Sequence, residues 1–152
     1  MGIHFQKVSF AYYVPKKKKQ PVLYTLKDVN LSIDDTNEFI AIVGHTGSGK
    51  STLVQLMNAL FLPTKGTVTV DNLIIDSKPK FKLKKVRQKV GLVFQFPEYQ
   101  IFEETVLKDI MFGPKNFGQT AIESQQKAID ASMVVGIDQE LLSRSPFALS
   151  GG

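Results

Sequence analysis

The chain has 152 residues, 43% of them hydrophobic and 22% charged, which suits one folded domain or part of one and excludes a disordered or fibrous chain. It holds no cysteine and only two histidines, so disulfides and thiolate metal sites are excluded. Its net charge of +5 is local: Lys16–Lys19 supplies four bases and the stretch 78–89 seven, and the other eight of the nineteen lysines and arginines stand against fourteen acids. Two such patches read as solvated faces and do not by themselves imply nucleic acid. The longest apolar run, Phe39–Val43, is too short to cross a bilayer, and no secretory or myristoylation signal opens the chain. The expectation is a protein that stays in the cytoplasm.

Residues 3–10 and 28–33 alternate apolar and polar side chains, as half-buried strands do. The lysine run sits between them in a loop bracketed by Pro15 and Pro21. Residues 39–43 are continuously apolar and β-rich, which predicts a strand buried on both faces, as in a parallel sheet under helices. A glycine-rich loop, Gly44–Ser51, follows at once. From Lys50 the pattern turns helical, with Leu53, Leu56, Met57 and Leu60 at i, i+3, i+4 and i+7 and Pro63 just beyond. Gly66–Asp71 predicts another alternating strand. Leu83, Val86 and Val90 suggest a short helix carrying the second basic patch on its outer side, and Val90–Phe94 reads as a further strand. After Pro97 the pattern is helical to the end. Thr120 and Glu123 form a capping-box pair, Ile122, Ile129 and Met133 share a face, and Gly136 suits a helix stop.

The sequence Gly44-His45-Thr46-Gly47-Ser48-Gly49-Lys50-Ser51 fits G-x-x-x-x-G-K-[ST] without departure. Glycines let successive N–H groups turn toward one point, and the start of the following helix favours an anion there. Lys50 adds a point charge for β- and γ-phosphates, and the Ser51 hydroxyl is a hard oxygen ligand for Mg²⁺. Thr52, next in line, packs or caps. His45 fills a free position of the pattern, so neither a catalytic nor a metal role is expected for it, and His4, on a strand, is expected to be structural.

A phosphate loop alone leaves kinases, GTPases, helicases and transporter ATPases open. Gln95 directly follows Gly91-Leu92-Val93-Phe94, and Leu149-Ser150-Gly151-Gly152 stands at the end of the sequence. In this order and spacing the three motifs resemble the Walker-type loop, the Q-loop and the start of the LSGGQ signature of ATP-binding-cassette proteins. The segment Val93–Val106, with Asp109 and Phe112–Asn116, resembles more narrowly the ATPases of energy-coupling-factor importers, relatives of the cobalt-importer ATPases.

The resemblance implies an α/β fold, the P-loop NTPase of ABC type, with a mixed sheet, N-terminal antiparallel strands and a helical subdomain. The ATP-binding core would occupy 1–95 and the helical signature subdomain 96–152. It further implies ATP and Mg²⁺ as ligands, held by Gly44, His45, Thr46, Gly47, Ser48, Gly49, Lys50, Ser51 and Thr52. Lys50 and Gln95 would be catalytic, Ser51 and Gln95 would complete the Mg²⁺ shell, and Tyr12 would stack on adenine, with Tyr13 a rival. Ser150 and Gly152 would reach the γ-phosphate bound to a second ATPase subunit arranged head-to-tail. The partners implied are that subunit, a transmembrane coupling protein and a substrate-capturing membrane protein for a vitamin or transition-metal ion. Nucleic acid is not among them, and the place is the cytoplasmic face of the membrane, peripherally. Residues 96–106 are expected to dock the membrane partner. The sequence stops before the strand carrying the Mg²⁺-binding Asp, the catalytic Glu and the switch His of that family, so alone it is expected to bind ATP without turnover. A soluble ATP-binding-cassette protein acting on ribosome or DNA, a phosphoryl-transferring kinase and an inactive nucleotide-binding module remain as alternatives.

Overall fold

The structure is a computed structural model that describes residues 1–16, 20–34 and 38–149. Lys17–Lys19, Ser150 and Gly152 lie outside the described residues. The chain divides into two compact units, residues 1–92 and 93–152.

In the first unit, β1 (Ile3–Phe10), β2 (Leu26–Ile33), β3 (Lys65–Val70) and β4 (Leu73–Ile75) form one antiparallel sheet in the order β2-β1-β3-β4. The alternation predicted for β1 puts Ile3, Phe5 and Val8 inside, and β3 does the same with Val68 and Val70. The register slips in mid-strand on both sides of β1, where Lys7, Asp28 and Gly66 take positive φ. A Cβ on Gly66 would stand 2.3 Å from the Lys7 carbonyl oxygen, so this close approach of two strands requires glycine. Buried Ser9 stays satisfied by exchanging hydrogen bonds with Asp28, donating to Oδ1 at 3.3 Å and accepting from its N–H at 3.0 Å.

Helix α1 (Lys50–Met57) packs Leu56 and Met57 into the core against this sheet. The period that predicts helix as far as Leu60 stops at Met57. The Asn58 side chain donates instead to the Val90 carbonyl, and Arg87 of the one-turn helix α2 (Lys84–Arg87) donates to the Ala59 carbonyl at 3.1 Å. The chain turns out of the helix at Ala59, which takes φ +55, the Leu60 N–H donates to the Gln55 carbonyl at 2.9 Å, and Leu60 is left exposed. Val86 of α2 is fully buried. Lys89 of the basic patch pairs with Asp71 at 2.6 Å, and that hydrogen bond and charge hold the Asp71 carboxyl below its ordinary range.

Two predicted strands are absent from the sheet. Residues 39–43 pair with nothing among the described residues, and Phe39 and Val43 are 98% and 89% exposed. Residues 90–94 likewise form no ladder, with Val93 82% exposed. The side chains are right for strands. A strand also needs a neighbour for its N–H and C=O groups, and the described residues provide none.

The second unit is helical, with 3₁₀ turns at Pro97–Gln100, Gln139–Ser143 and Pro146–Ala148 around α3 (Val106–Asn116) and α4 (Ala121–Val134). The Thr105 hydroxyl caps α3 by accepting from the Lys108 N–H at 3.2 Å. At α4 the capping box is complete: the Thr120 N–H and hydroxyl both donate to Glu123, which lowers the Glu123 carboxyl below its usual range, and the Glu123 N–H donates back. The face of α4 that is buried is the small one, Ser124, Ala128 and Ser132. Ile122 and Met133, on the face marked apolar by the sequence, are 83% and 55% exposed. The buried side of α4 is thus lined by small side chains, and the ends of the apolar stripe stay exposed.

Candidate functional site

The phosphate loop leads into α1 without a conventional cap. Gly49 occupies the N-cap with φ +94, no side chain caps the helix, and its first turn holds no acid. The first helical bond runs from the Leu53 N–H to the Gly49 carbonyl at 2.9 Å, so the N–H groups of Lys50, Ser51 and Thr52 precede the intrahelical ladder. Uncapped first-turn donors with the positive end of a helix behind them form a seat for an anion. Gly49 also rests on the start of β2. A Cβ there would meet Leu26 Cδ2 at 2.8 Å and the Thr25 carbonyl at 3.4 Å, which ties the loop to the sheet.

Lys50 is folded over its own loop, its Nζ donating to the Gly44 and His45 carbonyls at 2.7 and 2.8 Å. The ammonium is thus held beside the first turn of α1 by neutral acceptors alone among the described residues. The His45 ring bonds its neighbour, Nδ1 donating to the Thr46 carbonyl at 2.8 Å. Ser51 is exposed on the first turn, a single hard oxygen facing outward. Among the described residues no group of three His, Cys, Asp or Glu gathers as a metal site.

Thr52 turns the other way. It is 3% exposed, and its hydroxyl lies 2.8 Å from that of Tyr12. The Tyr12 ring makes edge contacts with Phe10 and Phe61 at centroid distances of 5.0 and 5.4 Å, yet remains 65% exposed. It borders an open cleft of about 530 Å³ whose other walls include Tyr13, Pro21, Leu23 and Thr25. Thr25 is also the residue beneath Gly49, so cleft and phosphate loop share a wall. The contributions of Thr25, Leu26 and Phe61 belong to no motif; the glycine at position 49 was the one sequence signal of a close neighbour.

Gln95 lies in the second unit. It borders an apolar hollow of about 410 Å³ with Phe94, Phe96 and Tyr99. Phe96, Tyr99 and Phe102 are 54%, 84% and 58% exposed, and the segment is anchored behind them. The Asp109 carboxylate accepts from the Phe102 and Glu103 N–H groups at 3.2 Å each, and Phe102 meets Phe112 edge-on at 4.8 Å. Glu104 pairs with Lys108 at 2.5 Å, which lowers the carboxyl and raises the ammonium relative to their ordinary values.

A glycine loop holding a lysine at the start of a helix, with an exposed aromatic ring just beyond the end of the inner strand β1, is the arrangement of a P-loop nucleotide-binding domain. The sequence matches the ABC transporter family profile over residues 26–152, and the chain belongs to that family. It is 52% identical over its whole length to the energy-coupling factor transporter ATP-binding protein EcfA2 of Streptococcus agalactiae, covering 53% of that protein. It is 50% identical over its whole length to the same-named protein of Caldanaerobacter subterraneus, covering 51% of it, and 56% identical over 84% of its length to that of Bacillus subtilis, covering 46%. The chain thus spans about half the length of the curated relatives it matches. The fold agrees with that of the ATP-binding cassette MJ0796 in a dimeric post-hydrolysis state bound to ADP and phosphate (TM-score 0.78, 27% identity, 98% of this chain and 63% of that one). It agrees also with cbiO1 of Clostridium perfringens, part of the ABC transporter complex cbiONQ (TM-score 0.76, 30% identity, 97% and 55%). Among the described residues no helix is long and apolar enough to cross a membrane.

Proposed function

We propose that this chain is the front half of the ATP-binding subunit of an energy-coupling-factor importer, and that it binds ATP through Gly44–Ser51. The observation that carries the reading is the uncapped, acid-free first turn of α1 with the Lys50 ammonium folded over it. In this reading the phosphates displace the Gly44 and His45 carbonyls from Lys50, and the N–H groups of the first turn close on the anion. Ser51 supplies a metal ligand from the loop. Mg²⁺, when bound, neutralises charge building on the β- and γ-phosphates. Tyr12 stacks on the adenine, favoured over Tyr13 because only Tyr12 is tied to α1.

The full protein hydrolyses ATP in a head-to-tail pair with a second ATPase subunit, where Ser150 and Gly152 touch the partner's γ-phosphate. It works at the cytoplasmic face of the membrane beneath a coupling protein and a substrate-capturing protein. The exposed rings at 96, 99 and 102, on a segment braced by Asp109, present apolar anchors of the kind a membrane partner can grip.

The test is calorimetric Mg²⁺–ATP binding by a folded Lys50→Ala variant. Loss of a charged hydrogen-bond partner is worth about 1.5–3 kcal/mol, or roughly ten- to hundredfold in affinity. Unchanged binding would refute the assignment.

A further inference from the structure

Tyr12 is held through its ring and at its tip. Phe10 and Phe61 meet its ring at interplanar angles of 82° and 87°, and these two stack on each other at 5.0 Å, so they make one rigid aromatic block. The tip is fixed by the hydroxyl of Thr52, a residue buried in the third position of α1. A buried hydroxyl without a partner is costly, and Thr52 is satisfied through Tyr12. Tyr13 is 70% exposed and has no comparable tie among the described residues. A ring fastened in this way and still 65% exposed is a platform whose plane is set before anything lands on it.

We infer that Thr52 is a positioning residue: through the hydroxyl pair, the helix whose N-terminus seats the phosphates also fixes the plane of the nucleobase platform. Both ends of the nucleotide are then aligned by one rigid element, and a change in either is felt through α1. The inference rests on the reading of Tyr12 as the base platform. Its energetic content is preorganisation. Freeing the ring makes the base bear the cost of immobilising it, which amounts to about two- to tenfold in affinity.

The test compares Mg²⁺–ATP with inorganic tripolyphosphate, which carries the phosphate chain and no base, in the intact protein. Tyr12→Phe and Thr52→Val should each weaken ATP by roughly two- to tenfold and leave tripolyphosphate unaltered. The double variant should be no worse than the weaker single, because both remove the same bond, and Thr52→Ser should restore ATP affinity. The inference fails if Tyr12→Phe leaves ATP affinity unchanged, if the two losses multiply, or if Thr52→Val weakens both ligands alike, which would put its hydroxyl on the phosphates. Should Thr52→Val not fold, as judged by its melting curve, Tyr12→Phe decides, since it removes a single oxygen from an exposed side chain. Tyr12→Ala without loss of ATP affinity would overturn the platform and this inference with it. Failure of the phosphate seat itself shows separately, as Lys50→Ala leaving both ligands unaffected.

Discussion

Replacing Gly49 by alanine perturbs two things that the structure allows to be weighed separately. The backbone there has φ +94, where an L side chain adds about 1–2 kcal/mol of strain. The new Cβ would also lie 2.8 Å from Leu26 Cδ2, well inside the ~3.5–4.0 Å of an ordinary carbon contact. Leu26 is a core residue at 9% exposure, so it yields only by disturbing its neighbours, at about 1–3 kcal/mol. Together these predict a loss of about 2–5 kcal/mol, read as a lower urea midpoint in the intact protein. ATP affinity should fall as well, because the loop cannot rest on β2 while its first-turn donors keep their aim. Leu26→Ala in the same chain should recover the contact share and leave the backbone share, giving a favourable coupling of about 1–3 kcal/mol in a double-mutant cycle. A Gly49→Ala protein within ~0.5 kcal/mol of wild type that binds ATP normally would show that the loop does not bear on Leu26.

Reversing charge at Glu103 and Glu104 in the intact protein should weaken co-purification with membrane subunits while ATP affinity by calorimetry stays near wild type; unchanged assembly would move the docking surface elsewhere. Truncating fully buried Leu56 to alanine should cost about 2–5 kcal/mol in denaturant unfolding, since it sits in the centre of the first unit's core. Thr120→Ala removes the N-cap of α4 and should lower stability by about 0.5–2 kcal/mol, checked by thermal melting. The same box gives a pH dependence. Glu123 has a folded value below the ordinary 4.5, so its contribution is complete above that value and is lost as pH falls through the lowered one. Helicity of α4 followed by amide exchange should therefore decline on acidification, and Glu123→Gln should flatten that part of the profile.

Where structure was set by neighbours close in sequence, it could be read directly. The alternation of β1 and β3, the phosphate loop and the Thr120–Glu123 box all depend on contacts within a few residues or on a single face. What could not be read depended on distant partners. Residues 39–43 have a strand's composition and no strand's pairing. The periodicity of α1 runs on to Leu60, but the chain leaves the helix at Ala59, beside bonds that Asn58 and Arg87 make with segments some thirty residues away. On α4 the apolar positions suggested one packing face, and the face that is buried, Ser124, Ala128 and Ser132, is another. At the site, the residue types of the loop were legible and its supports were not, because Thr25, Leu26 and Phe61 are ordinary hydrophobic or hydroxyl residues until the fold brings them beside Gly49 and Tyr12.

The uncovered run Phe39-Ile40-Ala41-Ile42-Val43 bears on how this polypeptide behaves in the tube. Five consecutive apolar residues, four of them strong β-formers, without a charge or a proline have the make-up of segments that stack on copies of themselves into cross-β assemblies. Glu38 is the one adjoining charge that opposes such stacking, with Gly44 on the other side. Material produced with this run exposed should therefore precipitate with a strong concentration dependence, and Ile42→Lys should keep it in solution by placing a like charge at every layer of the stack.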